Sequence, residues 1–409
     1  MVETYRRIRR LTEWIAEPLS AEDQTAQSMV EASPVKWHRA HTTWFFETFV
    51  LLPYVKGYRP FDPRYSKLFN SYYNAVGVPF TRAWRGLVTR PGVAEVTRYR
   101  AYVDQQMETL LEARADASAP IDVSLVVLGL HHEQQHQELA LTDLKHLLSH
   151  SPVASAYRLP SPTAEEMSDA PALTWISVPE GVQEVGHDGH GFAYDNEGPR
   201  HRVYLQGGSL ASRLVTNGEY LDFIRDGGYR TPSLWLSDGW ATVQEQRWRA
   251  PLYWVHDEDR WRHFTLSGMR PVHPHEPVTH VSFYEAEAFA RWAGARLPSE
   301  FAWEVAARDV PVAGRFLEGG YFHPATAPTG SLVQLYGDAW QWTASPYIGY
   351  PGLVVTGGAL GEYNAKFMAN QMVLRGASCV TPMGHARPTY RNFFPPASRW
   401  QFSGIRLAR

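Results

Sequence analysis

His132 and His136 stand four residues apart in the run Leu128-Gly129-Leu130-His131-His132-Glu133-Gln134-Gln135-His136-Gln137-Glu138-Leu139. On a helix, side chains four apart lie one above the other, so both imidazoles point the same way. The apolar residues before them and Ala140-Leu141-Thr142-Asp143-Leu144 after them extend the same helix. At about 100° per residue the pair shares a stripe with Leu125, Leu128, Leu139 and Asp143, a stripe that should face a core. A third imidazole comes from the stretch after Ser33-Pro34, which reads as a helix with Ser33 as N-cap and Pro34 at its first position. There His41 shares a face with Trp37, Trp44, Phe45 and Thr48, and His38 lies about 60° round the wheel and stays a candidate. Three neutral imidazoles converging in a helical core, with coordination positions left open, suit Zn or Fe(II).

The same spacing also fits H-E-x-x-H, the helix signature of zinc peptidases, in which the Glu is the general base. Spacing alone does not separate the two readings.

Two textures divide the chain. Residues 1–150 read as helices: an amphipathic one from Tyr5 to Ala16, a helix start at Ser20-Ala21-Glu22-Asp23, the His41 helix, one from Val93 to about Ala113, and the His132/His136 helix. The loop Leu52 to Pro91 is long enough to need a purpose. It carries Tyr72 and Tyr73, which could supply a proton, and Arg82, Arg85 and Arg90, which could hold a carboxylate. Residues 151–172, rich in Pro, Ser and Ala, read as a linker. Beyond it, residues 173–409 have short strands such as Trp175–Val178 and His201–Leu205, and two clear helices, 285–292 and 299–308. His131, His146 and His38 read as structural or exposed.

Composition narrows the classes. The 409 residues include no apolar stretch long enough to cross a membrane as a helix, and a net charge of -3 argues against nucleic acid or an anionic membrane as partner. One cysteine, Cys379, excludes an internal disulfide framework and fits a cytoplasmic protein, as does an N-terminus with no apolar segment behind it.

Longer motifs carry a resemblance. Phe192-Ala193-Tyr194-Asp195-Asn196-Glu197, Val215-Thr216-Asn217-Gly218-Glu219-Tyr220, Arg296-Leu297-Pro298-Ser299-Glu300 and Arg375-Gly376-Ala377-Ser378 are similar to the formylglycine-generating-enzyme (sulfatase-modifying factor) fold, an irregular α+β domain related to C-type lectins. Those enzymes use a cysteine pair, and with Cys379 alone their chemistry does not carry over. The helical half, through Ser33-Pro34-Val35-Lys36-Trp37-His38-Arg39-Ala40-His41-Thr42 and the His132 run, resembles the DinB-like four-helix bundle. Together, and with Thr389 to Pro395 and Arg399 to Arg406 at the C-terminus, the chain resembles the ergothioneine-pathway sulfoxide synthases.

That resemblance implies an iron(II)-dependent oxidoreductase that uses O2 to join the sulfur of a thiol to C2 of hercynine, the trimethylated betaine of histidine. It implies His41, His132 and His136 as iron ligands and Gln135 as a contact of the substrate imidazole. Asn392 and Phe393 match contacts of the betaine, whose quaternary ammonium is best met by aromatic faces. The C-terminal domain would lay that segment over the open iron face. Mycobacterial-type members, which use γ-glutamylcysteine, carry an Asp where this chain has Phe394, and the departure favours free cysteine as thiol. Another branch draws its catalytic tyrosine from tandem tyrosines, matched here by Tyr72 and Tyr73. Arg85 and Arg90 are candidates for the thiol's carboxylate. Open beside this reading are γ-glutamylcysteine as thiol, a histidine-using (ovothiol-type) or selenium-using relative, and, remotely, the zinc peptidase.

Overall fold

The computed structural model describes residues 1–115, 121–159, 169–355, 357, 361 and 363–409. They form two compact units: Met1–Pro152 with Thr356–Tyr363, and Val153–Val355 with Asn364–Arg409.

Four long helices build the first unit: α1 (Val2–Ala16), α2 (Val35–Phe46), α3 (Val93–Ala115) and α4 (Val123–Ser149). On α1 the buried residues Tyr5, Ile8, Thr12 and Ile15 recur at helical spacing, which makes one face of it a core face. Helix α2 is buried at every position and packs against the other three, so it is the bundle's central helix. A helix enclosed on all sides must satisfy its charges inside. Arg39 therefore reaches Glu13, Gln24 and Thr97, and the Lys36 ammonium donates to the Val88 carbonyl. Helix α4 approaches α2 closely at Gly129, where a Cβ would come within 2.6 Å of the Phe46 ring and 2.9 Å of the Phe45 ring.

Three local expectations change. Ser20 and Asp23 do cap each other, Ser20 N to Asp23 Oδ2 at 3.0 Å and Asp23 N to Ser20 Oγ at 3.1 Å, but the chain makes only turns there. The polar residues that follow have no apolar face to bury, and a lone turn is costly to nucleate. Ser33 is not the N-cap of α2. Pro34 holds that position with extended backbone, and Ser33 instead gives its N–H to Asp143 and accepts from Arg85. The stretch 52–91 holds helical turns at Leu52–Tyr54, Tyr65–Leu68 and Arg82–Leu87 rather than being one open loop.

The second unit is a mixed α+β body. Strands β1 (Trp175–Val185) and β2 (His201–Ala211) pair antiparallel from Trp175↔Ala211 to Val185↔His201. Strands β3 (Trp254–Asp257), β4 (Arg260–Thr265) and β5 (Gly268–Pro271) form a meander. Strands β6 (Trp340–Pro346), β7 (Met372–Gly376), β8 (Asn392–Phe394) and β9 (Ser403–Gly404) form a sheet in the order β8-β7-β6-β9, with β9 parallel to β6. Its helices are α5 (Asn217–Arg225), α6 (Ser237–Gln246), α7 (Phe283–Trp292) and α8 (Glu300–Ala307). The first two were not expected, although Thr216 and Glu219 form a capping box at the head of α5.

The motifs behind the resemblance hold this unit together. Ser299 caps α8, whose Trp303 and Ala307 pack with Val178, Leu205, Leu210 and Leu335. Glu300, the next residue, takes Arg375 of β7 and Arg391 into buried ion pairs at 2.9 and 2.8 Å. Of the expected linker, residues 160–168 lie outside the described residues, while Tyr157 and Arg158 both donate backbone N–H groups to the Leu266 carbonyl within the second unit.

Candidate metal centre

His41 of α2 and His132 and His136 of α4 bring one nitrogen each within 4.8 Å of one another. Second contacts fix which nitrogen His41 and His136 present. His41 Nδ1 lies 2.6 Å from the Phe69 carbonyl, which can only accept, so Nδ1 carries the proton and Nε2 keeps its lone pair. His41 is further clamped between Trp37 and Trp44, stacked at 4.6 and 5.4 Å between ring centroids. The Asp143 carboxylate accepts from His38 Nε2 at 3.1 Å, which makes His38 Nδ1 an acceptor for His136 Nδ1–H at 2.8 Å. That relay turns a lone pair of His136 Nε2 outward from His38. His38 is thus a buried orienting partner of His136.

His41 Nε2 and His132 Nε2 stand only 3.2 Å apart, and His132 Nδ1 is buried without a hydrogen-bond partner. Converging imidazole lone pairs of this kind are stabilised by a shared cation. Burial, and then the neighbouring His132, hold His41 well below its ordinary pKa. Burial pushes His132 down to about 3, and burial with His132 and His41 does the same in direction for His136. All three are therefore neutral and ready to ligate. The donor set fits Fe(II) or Zn, with no protein carboxylate in it.

Glu133 separates the competing readings. It points away from the trio and is fully buried, accepting from Arg9 at 2.7 Å, Arg100 at 3.0 Å and Thr12 at 2.6 Å. Burial alone would raise its pKa, but Arg9 and Arg100 hold it below the ordinary range. A carboxylate spent on two guanidinium groups is no general base for a metal-bound water. The peptidase reading loses its catalytic group.

Around the trio, Arg85 is buried with its guanidinium 3.4 Å over the Trp37 ring, donating to Ser33 Oγ and Ser71 Oγ at 2.9 Å each. Its Nε is unpartnered, it pairs with no carboxylate among the described residues, and burial lowers its pKa. A buried cation in this state gains from an arriving carboxylate. Tyr72 and Tyr73 stack at 4.6 Å with hydroxyls 3.5 Å apart, Tyr73 fully buried against Trp44 and Phe49. Arg90 is exposed at a cis bond to Pro91 and is not brought to this cluster.

Comparison with known proteins follows the same division. The DinB superfamily model matches residues 4–140, and the sulfatase-modifying factor enzyme 1-like domain matches residues 160–330. A hercynine oxygenase of Mycolicibacterium smegmatis is 36% identical over 311 residues, covering 69% of this chain and 70% of its own. Those of Mycolicibacterium thermoresistibile and Mycobacterium tuberculosis are 32% and 31% identical over 92% of this chain, covering 87% and 91% of theirs. The chain belongs to the hercynine oxygenase family.

In this hercynine oxygenase family member, the residues expected to meet a betaine lie in the second unit, on β8. Phe393 stacks on Tyr347 at 4.0 Å, Asn392 Oδ1 accepts from the Phe393 N–H, and the Phe394 ring meets Trp400 edge-on at 5.7 Å. All three are partly exposed. The structure also adds a residue the sequence reading missed. Tyr363 donates its hydroxyl to Gln135 Oε1 at 2.5 Å, and its ring lies 5.5 Å from His132 and 6.4 Å from Tyr72. No periodicity flags Tyr363, which stands more than 200 positions from its partner in an irregular stretch.

Proposed function

We propose that this chain joins the sulfur of cysteine to C2 of hercynine, using O2 and an iron(II) ion held by His41, His132 and His136. The observation that carries it is the trio of oriented, neutral imidazoles with Glu133 turned away, in a chain of the hercynine oxygenase family. The reaction balances: the C2–H and S–H bonds break, C–S and S–O bonds form, and the second oxygen leaves as water with both hydrogens. Iron(II), when bound, supplies the redox chemistry that O2 needs.

The chain's own groups do the rest. Arg85 binds the thiol's carboxylate, its charge held in place by Ser33 and Ser71 and by the Trp37 face. Gln135, whose Oε1 is taken by Tyr363, presents its amide N–H to a substrate imidazole nitrogen. Tyr72 and Tyr363 hold transferable protons at their phenolic oxygens. Asn392 and Phe393 take the betaine end by family resemblance, and an aromatic face suits a quaternary ammonium.

The test is anaerobic loading with iron(II), then oxygen uptake and mass spectrometry of products with hercynine, histidine, cysteine and γ-glutamylcysteine. The hercynine–cysteine sulfoxide should form, and alanine at any one of the three histidines should abolish both bound iron and product. Stoichiometric iron in the His41→Ala protein, or turnover of histidine in preference to hercynine, would overturn the proposal.

A further inference from the structure

We propose a second metal site, in the other unit: His263, Glu276 and His323 form a three-ligand site for a divalent transition ion of the zinc class. Their donor atoms all lie within 4.8 Å of one another, the same closeness that the first trio shows.

The local structure explains why they meet. His263 lies in the second half of β4, where His263, Phe264 and Thr265 are all buried. Its cross-strand partner on β5 is Arg270. Arg270 crosses to Glu276 and holds its Oε1, which leaves Oε2 facing His323 Nε2 at 3.1 Å. Glu276 is itself pinned, since its carbonyl accepts from the Asn217 N–H at the head of α5. The His323 ring meets His263 edge-on at 5.2 Å. Both the His323 and the Glu276 side chains are 10% exposed.

An ordinary ion pair accounts for only two of the three. His323 and Glu276 form that pair, and His263 brings a second imidazole to the same place. Two imidazoles and one carboxylate oxygen are instead a complete set for a tetrahedral ion with one position open. Arg270 then serves as the orienting partner that such a carboxylate ligand ordinarily has. Nitrogen donors favour zinc, cobalt or iron over calcium or magnesium.

The experiment uses the full chain with His41→Ala and His132→Ala, which disables the first trio and makes the two sites distinguishable. After incubation with zinc and gel filtration, elemental analysis should find about one zinc per chain. His263→Ala or His323→Ala added to that background should remove it, and cobalt(II) should give tetrahedral visible absorption lost in the same variants. Should the double variant fail to fold, the otherwise unaltered chain should bind about two ions, falling to about one with His323→Ala. No zinc retained when the first trio is disabled, or zinc indifferent to both second-site substitutions, would overturn the site.

Discussion

Glu133 sits between two metal-facing imidazoles in sequence and outside their chemistry in space. Its carboxylate is the counter-charge for Arg9 and Arg100, both buried. Glu133→Gln should therefore act on stability: removing one partner of a buried ion pair costs about 3–5 kcal/mol, to be read from urea denaturation. Iron content and turnover per folded molecule should survive; a stable but inactive protein would restore the peptidase reading. The tyrosines divide in the same manner. Tyr73 is fully enclosed by Trp44 and Phe49, whereas Tyr72 is partly exposed and shares its neighbour Tyr363 with His132. Phenylalanine at Tyr72 or Tyr363 should divert cysteine toward its sulfinic acid by about a hundredfold in product ratio, the lower end of a general acid's contribution. An unchanged ratio in both variants would make these rings packing groups.

Helices α2 and α4 hold the trio because they meet at very short range. Gly129 is where α4 passes the Phe45 and Phe46 rings. Replacing a mid-helix glycine by alanine would by propensity gain about 0.5–1 kcal/mol. The new Cβ would stand 2.6 Å from one fully buried ring and 2.9 Å from the other, and overpacking costs about 1–3 kcal/mol. The second effect wins, so Gly129→Ala should lower the denaturation midpoint; a rise would show that the rings can retreat. The Asp143–His38–His136 relay is the other tie between these helices, with Ser33 N–H also on Asp143. Asp143→Asn should keep the fold and weaken metal affinity about 10–100-fold, the usual effect of losing an orienting partner. Competition with a chelator of known affinity measures it, and an unchanged affinity would reduce the relay to packing.

At the scale of the molecule, one unit carries the imidazoles and Arg85, and the other carries the β8 segment with Phe394. Phe394 offers a phenyl ring packed edge-on against Trp400, and no charge for an amine. Burying an ammonium beside it unpaired would cost several kcal/mol, on the order of the penalties for unsatisfied charges. We expect kcat/KM for cysteine to exceed that for γ-glutamylcysteine by at least about tenfold, or roughly 1.4 kcal/mol of transition-state binding. Phe394→Asp should narrow the gap in steady-state kinetics at saturating hercynine. A preference for γ-glutamylcysteine in the unaltered chain would reverse the role of this position.

The i, i+4 spacing and the apolar stripe of the 125–144 helix made His132, His136 and Asp143 one inward face before any coordinates, and the aromatic face of α2 did the same for His41. The cap at Ser299 was a local signal too, and it formed, whereas the capping box at Thr216–Glu219 went unread although it was equally local. Periodicity reports direction, however, and not what lies opposite. It could not say that Asp143 would reach His38, or that Glu133 would be neutralised by arginines far away in sequence. Ser20 and Asp23 capped a turn that had no apolar face to continue it, because helices are stabilised mainly by what they bury. Tyr363, Arg270 beside Glu276, and the His263–His323 contact were decided by tertiary structure alone. Each joins irregular or distant segments, where no repeat of 2 or 3.6 residues links one partner to the other.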